Sequence, residues 1–349
     1  MLFTIAARAL FLLNTSYYDD FILGSKPGLV SSSQNAMELV FMITNSEYAR
    51  DGKKSTSFGT LCKALGVEFN LSRASEQLMM IQNTEKRVEE LVRLIGDVLS
   101  SGLLSKTGAL TLRGKLGFAD SFLHGRLGNI ALKLLSEHAS SKHSQVGMEL
   151  RLALQAMSLR LSCDKPRQVT ARPLQQWYVY TDACYDKESR SGGVGGVLVD
   201  HEATCRAWFS RRLTADECKI FGSGVQDTII YELELLGAIM AMHCWKDTLC
   251  GDLSVLFVDN EGVKHALIRG SATGRCAKLL IEFNLSVEAE FSSQTWFARV
   301  PTEANIADWP SRSSGHPLLL SSKECSDKAA STFDAIVAFM ESRRECSLG

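Results

Sequence analysis

The chain has 349 residues, 45% hydrophobic and 22% charged, with 38 Lys and Arg against 39 Asp and Glu for a formal net charge of −1. That is the composition of an ordinary soluble protein with room for two or three domains, each with a real core. Ten cysteines occur without a Cys-x-x-Cys pair or a Cys/His grouping at ligand spacing, which argues against a disulfide framework or a zinc module and for reduced thiols inside a cell.

Residues 1–13 are apolar but interrupted by Arg8, too short for a membrane span, and lack the basic start and small-residue cleavage site of a signal peptide. They read as a buried element that begins in mid-domain. Tyr17-Tyr18-Asp19-Asp20-Phe21 follows, two adjacent aspartates in a stretch that a surface turn would also suit. The spacing predicts a helix over 32–47, with Asn35, Glu38 and Met42 along it, and Leu65-Gly66-Val67-Glu68-Phe69 reads as a Gly-centred turn between strands.

From Glu76 to about Leu161 the pattern is helical. Thr84 is an N-cap candidate, and Val88, Leu91, Val92 and Ile95 share one stripe. Residues 109–119 and a last helix over 148–161 continue it, with Gly125-Arg126-Leu127-Gly128 between them. Residues 76–176 carry 14 Lys and Arg against 9 Asp and Glu, whereas 177–313 carry 13 against 19. A basic region beside an acidic one suits a protein that holds a nucleic-acid backbone with the first, and Arg113, Lys115 and Arg126 are the first candidates for phosphate contact. A solvated helical surface would carry a similar surplus. Cys163 to Gln176, with Pro166 and Pro173, reads as a linker.

Trp177-Tyr178-Val179-Tyr180-Thr181-Asp182-Ala183 is an aromatic and β-branched run with a carboxylate near its end, the signature of a buried strand. Two further strands, 193–200 and 203–210, precede a helix over 227–245 that carries Glu232 and Glu234. A fourth strand over 253–258 ends in Asp259, two helical patterns span 261–267 and 275–288, and a fifth strand spans 295–300. Asn305-Ile306-Ala307-Asp308-Trp309-Pro310-Ser311-Arg312 closes the unit. A polar stretch and an amphipathic helix over 326–344 follow, with Ala330, Phe333, Ile336, Val337 and Met340 on one side, suited to covering the preceding unit or docking a partner. Residues two apart on a helix point to different sides, so Glu232 and Glu234 cannot both face Asp182. Glu234 shares its side with Gly237, Ala238 and Ala241, small enough for close approach to a sheet. Taken singly, a strand-end aspartate is often a turn residue, and Asp259 also suits the N-cap of the next helix.

The order of elements and the residues Asp182, Glu234, Asp259 and Asp308 resemble the type 1 ribonuclease H domain, especially the version fused to retrotransposon reverse transcriptases. Tyr17-Tyr18-Asp19-Asp20 likewise resembles the Tyr-x-Asp-Asp hairpin of the polymerase palm, and residues 65–69 the hairpin that grips the primer. The resemblance implies an α/β fold: a five-stranded mixed sheet with flanking helices, preceded by a partial palm and a helical thumb or connection region. It implies boundaries at 1–75 (palm), 76–162 (thumb and connection), 163–176 (linker), 177–313 (ribonuclease H-like domain) and 314–349 (tail). It further implies that Asp182, Glu234, Asp259 and Asp308 hold two Mg²⁺ ions, with Mn²⁺ as a substitute, for endonucleolytic cleavage of the RNA strand of an RNA/DNA hybrid. Asp19 and Asp20 would serve nucleotidyl transfer.

Two departures qualify these expectations. The fingers and the first palm aspartate of a complete polymerase do not fit before Tyr17, so a truncated, polymerase-inactive element is expected, its partners being the hybrid and the missing fingers and palm. The histidine common before the last aspartate is absent from Pro301-Thr302-Glu303-Ala304, leaving Glu303 as a stand-in; His316 follows the motif and is not assigned that role. The competing expectations are a decayed remnant that only binds nucleic acid and a DNA-cutting nuclease of the same fold.

Overall fold

One unit comprises residues 1–94 with 161–171, and a second comprises 95–160 with 172–349. The computed structural model describes residues 6, 8, 12–17, 20–48, 57–163, 165–171, 174–222, 228–291, 294–312, 319 and 321–345. Among them no helix is long and apolar enough to cross a membrane.

In the first unit, β1 (Leu13–Tyr17) and β2 (Asp20–Gly24) form an antiparallel hairpin in which Tyr17 pairs with Asp20. Helix α1 (Val30–Ile43) buries Met37, Val40 and Phe41, and Phe41 packs on Phe21 and Tyr48. The strands β3 (Leu61–Ala64), β4 (Val67–Asn70), β5 (Leu78–Asn83) and β6 (Arg167–Thr170) make an antiparallel sheet in that order. Leu65 and Gly66 turn between β3 and β4 with φ of 53° and 72°, the left-handed pair that a two-residue hairpin demands. Strand β6 lies within the stretch read from sequence as a linker. Helix α2 (Glu85–Ser101) follows β5, with Leu91 buried on its apolar stripe.

The second unit begins with α3 (Lys106–Asp120), α4 (Asn129–Ser140) and most of α5 (Met148–Ser162). Its sheet is built from β7 (Gln176–Asp186), β8 (Ser191–Asp200), β9 (Cys205–Leu213), β10 (Leu253–Val258), β11 (Gln294–Arg299) and β12 (Lys323–Glu324), in the spatial order β11-β10-β7-β8-β9-β12. Strands β7, β8 and β9 are antiparallel neighbours, while β10 runs parallel to both β7 and β11. The expected five-stranded sheet is therefore six-stranded: Lys323 and Glu324 add a short strand parallel to the outer edge of β9. Two residues flanked by polar sequence carry no alternation from which a strand could be read.

The helices of this unit are α6 (Ala215–Phe221), α7 (Ile230–Cys244), α8 (Lys246–Leu249), α9 (Glu261–Arg269), α10 (Arg275–Glu290), α11 (Asp308–Ser311) and α12 (Ser326–Glu345). Helix α7 is apolar nearly all round, as a helix buried on several sides must be, and shares one core with Val179, Ala183, Val194 and Leu198 of the sheet. Ala329, Phe333, Ile336 and Met340 of α12 belong to the same core, so the C-terminal helix covers this layer. On the opposite face of the sheet, Tyr178, Tyr180, Val197 and Val199 pack with Ala307 and Leu319.

Two devices tie the α3–α5 region to this body. Arg126 pairs with Glu288 through two hydrogen bonds of 2.9 and 2.6 Å and donates to the carbonyls of Leu267 and Ile268 at 2.7 and 2.8 Å, closing the C-terminal end of α9. Beside it Gly125 has φ +75°, and a Cβ there would meet the Ala289 backbone at 2.8 Å, so only glycine gives this close approach.

The acid-bearing end of the sheet depends on a second close approach. Strand β8 reads Gly192-Gly193-Val194-Gly195-Gly196, weak β-formers where a packed strand wants side chains. A Cβ on Gly193 would fall on the carbonyl oxygen of Ser311, and one on Gly195 on its amide nitrogen, so α11 lies directly on bare strand backbone. Gly195→Ala is expected to lower the thermal midpoint of the second unit by roughly 5 °C, the effect of an overpacking strain of about 1–3 kcal/mol. Gly114→Ala on α3, where a Cβ meets nothing within 4 Å, should leave the midpoint unchanged or raise it. Scanning calorimetry of both variants checks the contrast.

Candidate active site

The pairing of β7 creates the site. Its ladder with β10 ends at Phe257 opposite Tyr180, so β7 runs on with that edge uncovered, and Asp182 is the second residue beyond. Alternation puts Asp182 on the face of Tyr178 and Tyr180, opposite Gly195 in the β8 register. The open carbonyl of Thr181 accepts from Asn305 Nδ2 at 2.9 Å, and the Thr181 hydroxyl donates to the Phe257 carbonyl at 3.3 Å. Asn305 Oδ1 in turn accepts from the Ala307 amide at 3.2 Å. One buried asparagine thus binds the end of the ladder and shapes the turn into α11.

Each of the four acids predicted from sequence comes from a different element. Asp182 is buried, and its Oδ2 accepts from the Ser311 hydroxyl at 2.7 Å. Asp308 opens α11, and its Oδ1 accepts from Arg312 Nε at 2.7 Å. Asp259 follows β10 directly, and its Oδ2 accepts from Thr302 Oγ1 at 3.2 Å. The helix cap beside it is Asn260, whose Oδ1 accepts from the Gly262 and Val263 amides at 2.8 and 3.3 Å, so Asp259 is not spent on capping. Glu234 stands on α7, whose Gly237 lies against the sheet such that a Cβ would sit 3.4 Å from the Asp182 carbonyl. The Asn260 side chain also hydrogen-bonds to the Glu234 carboxylate, while Glu234 Oε2 is buried without a hydrogen-bond partner among the described residues.

The acids act on one another electrostatically. Burial pushes the Asp182 carboxyl up to about 6, the negative charges of Asp259 and Asp308 add to the rise, and the Ser311 hydrogen bond and Arg312 oppose it. Burial likewise pushes Glu234 up to about 8, with Asp259 and Asp182 adding and Asn260 opposing. Glu232 is raised by burial, with a backbone hydrogen bond opposing, so its environment is that of an isolated buried acid.

Hard oxygen donors, one of them buried and unsatisfied, are the chemistry that Mg²⁺ or Mn²⁺ takes. Asp182, Glu234, Asp259 and Asp308 are the residues expected from sequence to hold such ions. Among the described residues, however, no three His, Cys, Asp or Glu side chains are gathered closely enough to hold a metal ion. Asp182, Asp259 and Asp308 each point one oxygen at a donor of their own, Ser311, Thr302 and Arg312.

The remaining expected residues divide. Asp19 lies outside the described residues, as does His316; Asp20 begins β2. Arg113 and Lys115 are exposed on α3. Arg126 is turned inward to Glu288 and the end of α9, which corrects its reading as a phosphate contact: a guanidinium that satisfies a carboxylate and two carbonyls has little left for a ligand. Glu303 is exposed in a short 3-10 turn over Thr302–Ala304. Sequence reasoning missed Ser311, Asn305 and the glycines of β8. The signal for the last was four glycines in five residues of a strand.

No protein-family model matches the sequence, and no curated protein matches it. Solved structures that overlap the chain include RNase H1 from the halophilic archaeon Halobacterium salinarum NRC-1, at 16% identity and TM-score 0.33 over 40% of this chain and 96% of that one. LC11-RNase H1 in complex with RNA/DNA hybrid overlaps at 17% identity and TM-score 0.32, over 40% and 95%. The foamy viral protease-reverse transcriptase dRH in complex with double-stranded DNA overlaps at 11% identity and TM-score 0.39, over 86% of this chain and 48% of that one.

The upward shift of Glu234 has a sign that can be measured. A carboxyl whose folded pKa lies above its unfolded value stabilises the fold below about pH 4 and loses that contribution as pH rises toward 8. Glu234→Gln should therefore raise the thermal midpoint by several degrees at pH 8 and change it little at pH 4.5, in buffer without divalent cations. An equal effect at both pH values would remove the assignment of Glu234 to a buried, acid-facing position.

Proposed function

We propose that residues 177–313 form a ribonuclease H-type nuclease that cleaves the RNA strand of RNA/DNA hybrids with divalent metal ions, within a chain derived from a retroelement reverse transcriptase. The observation that supports this reading is that the acids near the open end of β7 lie within reach of one another's charge: Asp182 feels Asp259 and Asp308, and Glu234 feels Asp259 and Asp182. Four acids from four elements acting on one another are costly to a fold, and a phosphodiester-cleaving metal site accounts for them.

In this reading Asp182, Glu234, Asp259 and Asp308 are the metal ligands. Bound divalent ions would supply activation of the attacking water and stabilisation of the leaving oxygen. The chain's own residues set the carboxylates. Ser311 fixes the Asp182 oxygen, Thr302 holds Asp259, Asn260 holds Glu234, and Arg312 lies over Asp308. Because Glu234 retains a proton up to about pH 8, cation affinity rises with pH through that range. The substrate strand is distinguished by its 2′-hydroxyls.

The antiparallel pairing of β1 with β2, Tyr17 opposite Asp20, supports assigning Tyr17-Tyr18-Asp19-Asp20 to a palm hairpin, and the β3–β4 hairpin supports the primer-grip reading. Exposed Arg113 and Lys115 are proposed phosphate contacts. One observation favours a second reading, a remnant that binds nucleic acid without cutting it: the acids are not drawn into a group of three that could hold a metal ion.

Cleavage decides between them. The full chain, incubated with end-labelled RNA/DNA hybrid and Mg²⁺, is expected to shorten the RNA strand, and Asp182→Asn or Asp308→Asn should lower the rate at least 100-fold. Ser311→Ala should lower it about tenfold while leaving the Mg²⁺ requirement intact. An Asp182→Asn protein as active as the wild type would end the nuclease reading, and a hybrid bound but left uncut by the wild type would establish the second.

A further inference from the structure

Away from the acids, the second unit holds an open cavity of about 880 Å³ where the end of α2 meets the loop that leads into α5. Residues 101–103 form one wall and 142–148 the other, with Arg151 joining them from the first turn of α5. The walls are fixed by backbone: the Leu104 amide donates to the Ser144 carbonyl at 2.7 Å, and the Val146 amide to the Gly102 carbonyl at 2.9 Å. Gly102 turns with φ +66°, and a Cβ there would stand 3.3 Å from Arg151 Nη2, so the turn and the guanidinium are fitted to each other. Arg151 Nη1 donates to the Leu99 carbonyl at 2.8 Å, which anchors the group against α2.

Charge in this cavity is one-sided. Lys142, His143 and Arg151 line it and no Asp or Glu does; among the described residues neither Lys142 nor Arg151 is paired with a carboxylate. A guanidinium has five N–H donors, of which Leu99 takes one, and an ammonium has three, with the His143 ring and the Ser144 hydroxyl beside them. Two permanent positive charges held in a concavity focus a positive field that an anion relieves. The rim is of another kind. Leu103 and Met148 are 58% and 61% exposed, and Gln145, paired across from Leu103, adds a side-chain amide.

We infer that this cavity binds a nucleoside phosphate monoester, with Lys142 and Arg151 on the phosphate and Leu103 and Met148 against the base. A monoester carries about two negative charges at neutral pH, matching the two permanent cations, whereas a diester within a strand carries one. The volume falls in the range of small-molecule sites, on the order of 300–1,000 Å³, and leaves room for the body to which the phosphate is attached. A thioether and a branched alkyl group pack well on a flat ring, and the Gln145 amide can both donate to and accept from its edge. A phosphate borne on a serine would leave that apolar rim unused. A free nucleotide and the 5′ end of a strand present the same group. The site is separate from the acid cluster, and the inference does not rest on the nuclease reading.

The test uses the full chain with Lys142→Gln, Arg151→Gln, and Lys133→Gln on exposed α4 surface as a charge control, all in EDTA. In titration calorimetry AMP should bind about tenfold or more tighter than inorganic phosphate or phosphoserine, and each of the first two variants should weaken it about tenfold. Lys133→Gln should match the wild type. Because Lys142 is exposed, its variant keeps the test decisive where Arg151→Gln fails to fold. A short single-stranded RNA labelled at its 3′ end, bearing a 5′-phosphate or a 5′-hydroxyl, separates the two carriers by fluorescence anisotropy. Preference of about tenfold for the phosphorylated strand, lost in Lys142→Gln, makes the ligand a strand end, and no preference with AMP still bound makes it a free nucleotide. The inference is overturned by phosphate or phosphoserine binding as tightly as AMP, by affinities that neither variant changes, or by a wild type that binds neither AMP nor the strand's 5′-phosphate.

Discussion

The acid end of the second unit depends on how near α11 comes to β8. Ser311 can donate to Asp182 at 2.7 Å only because Gly193 and Gly195 leave nothing between the strand and the turn. Asp308, three residues earlier on the same short helix, is placed by the same contact. Strand glycines forfeit side-chain packing and conformational restriction, so this seat weakens the strand in exchange for position. The buried Asn305, tied to the open carbonyl of Thr181, sets the angle at which the turn arrives.

The electrostatics follow from that placement. Asp182 is buried and Glu234 half-buried where neighbouring carboxylates oppose their ionisation, and each acid at the site has one neutral or cationic donor to steady it. Such an arrangement stores unfavourable charge that a cation or a proton can relieve. Glu232, on the same helix, shows what burial alone does without those neighbours.

The core pattern of this unit was legible because its signals are local. The run from Trp177 to Ala183 alternates correctly, Leu253 to Val258 ends in its aspartate, and the choice of Glu234 over Glu232 follows from helical periodicity. The two-residue β12 was not legible, since pairing at an edge leaves no mark in two polar residues. Arg126 misled for a different reason: a basic residue between two glycines reads as a loop cation, whereas its partner Glu288 lies 162 residues further along and no local pattern points to it. Nor could the stretch over 163–176 be read as partly strand, because Arg167–Thr170 takes its meaning from β5, far upstream.

The path of the backbone carries its own lesson. Because the first unit closes with residues 161–171 and the second opens with 95–160, the polypeptide passes from one to the other three times, near 94, 160 and 171. Neither body is therefore a contiguous segment of gene. Shuffling or trimming at a single point would strip the second of α3, α4 and the loop between them that carries Gly125 and Arg126, and would leave Glu288, only 12% exposed, without its counterion. Inheritance of this half as a working piece thus requires that both stretches travel together.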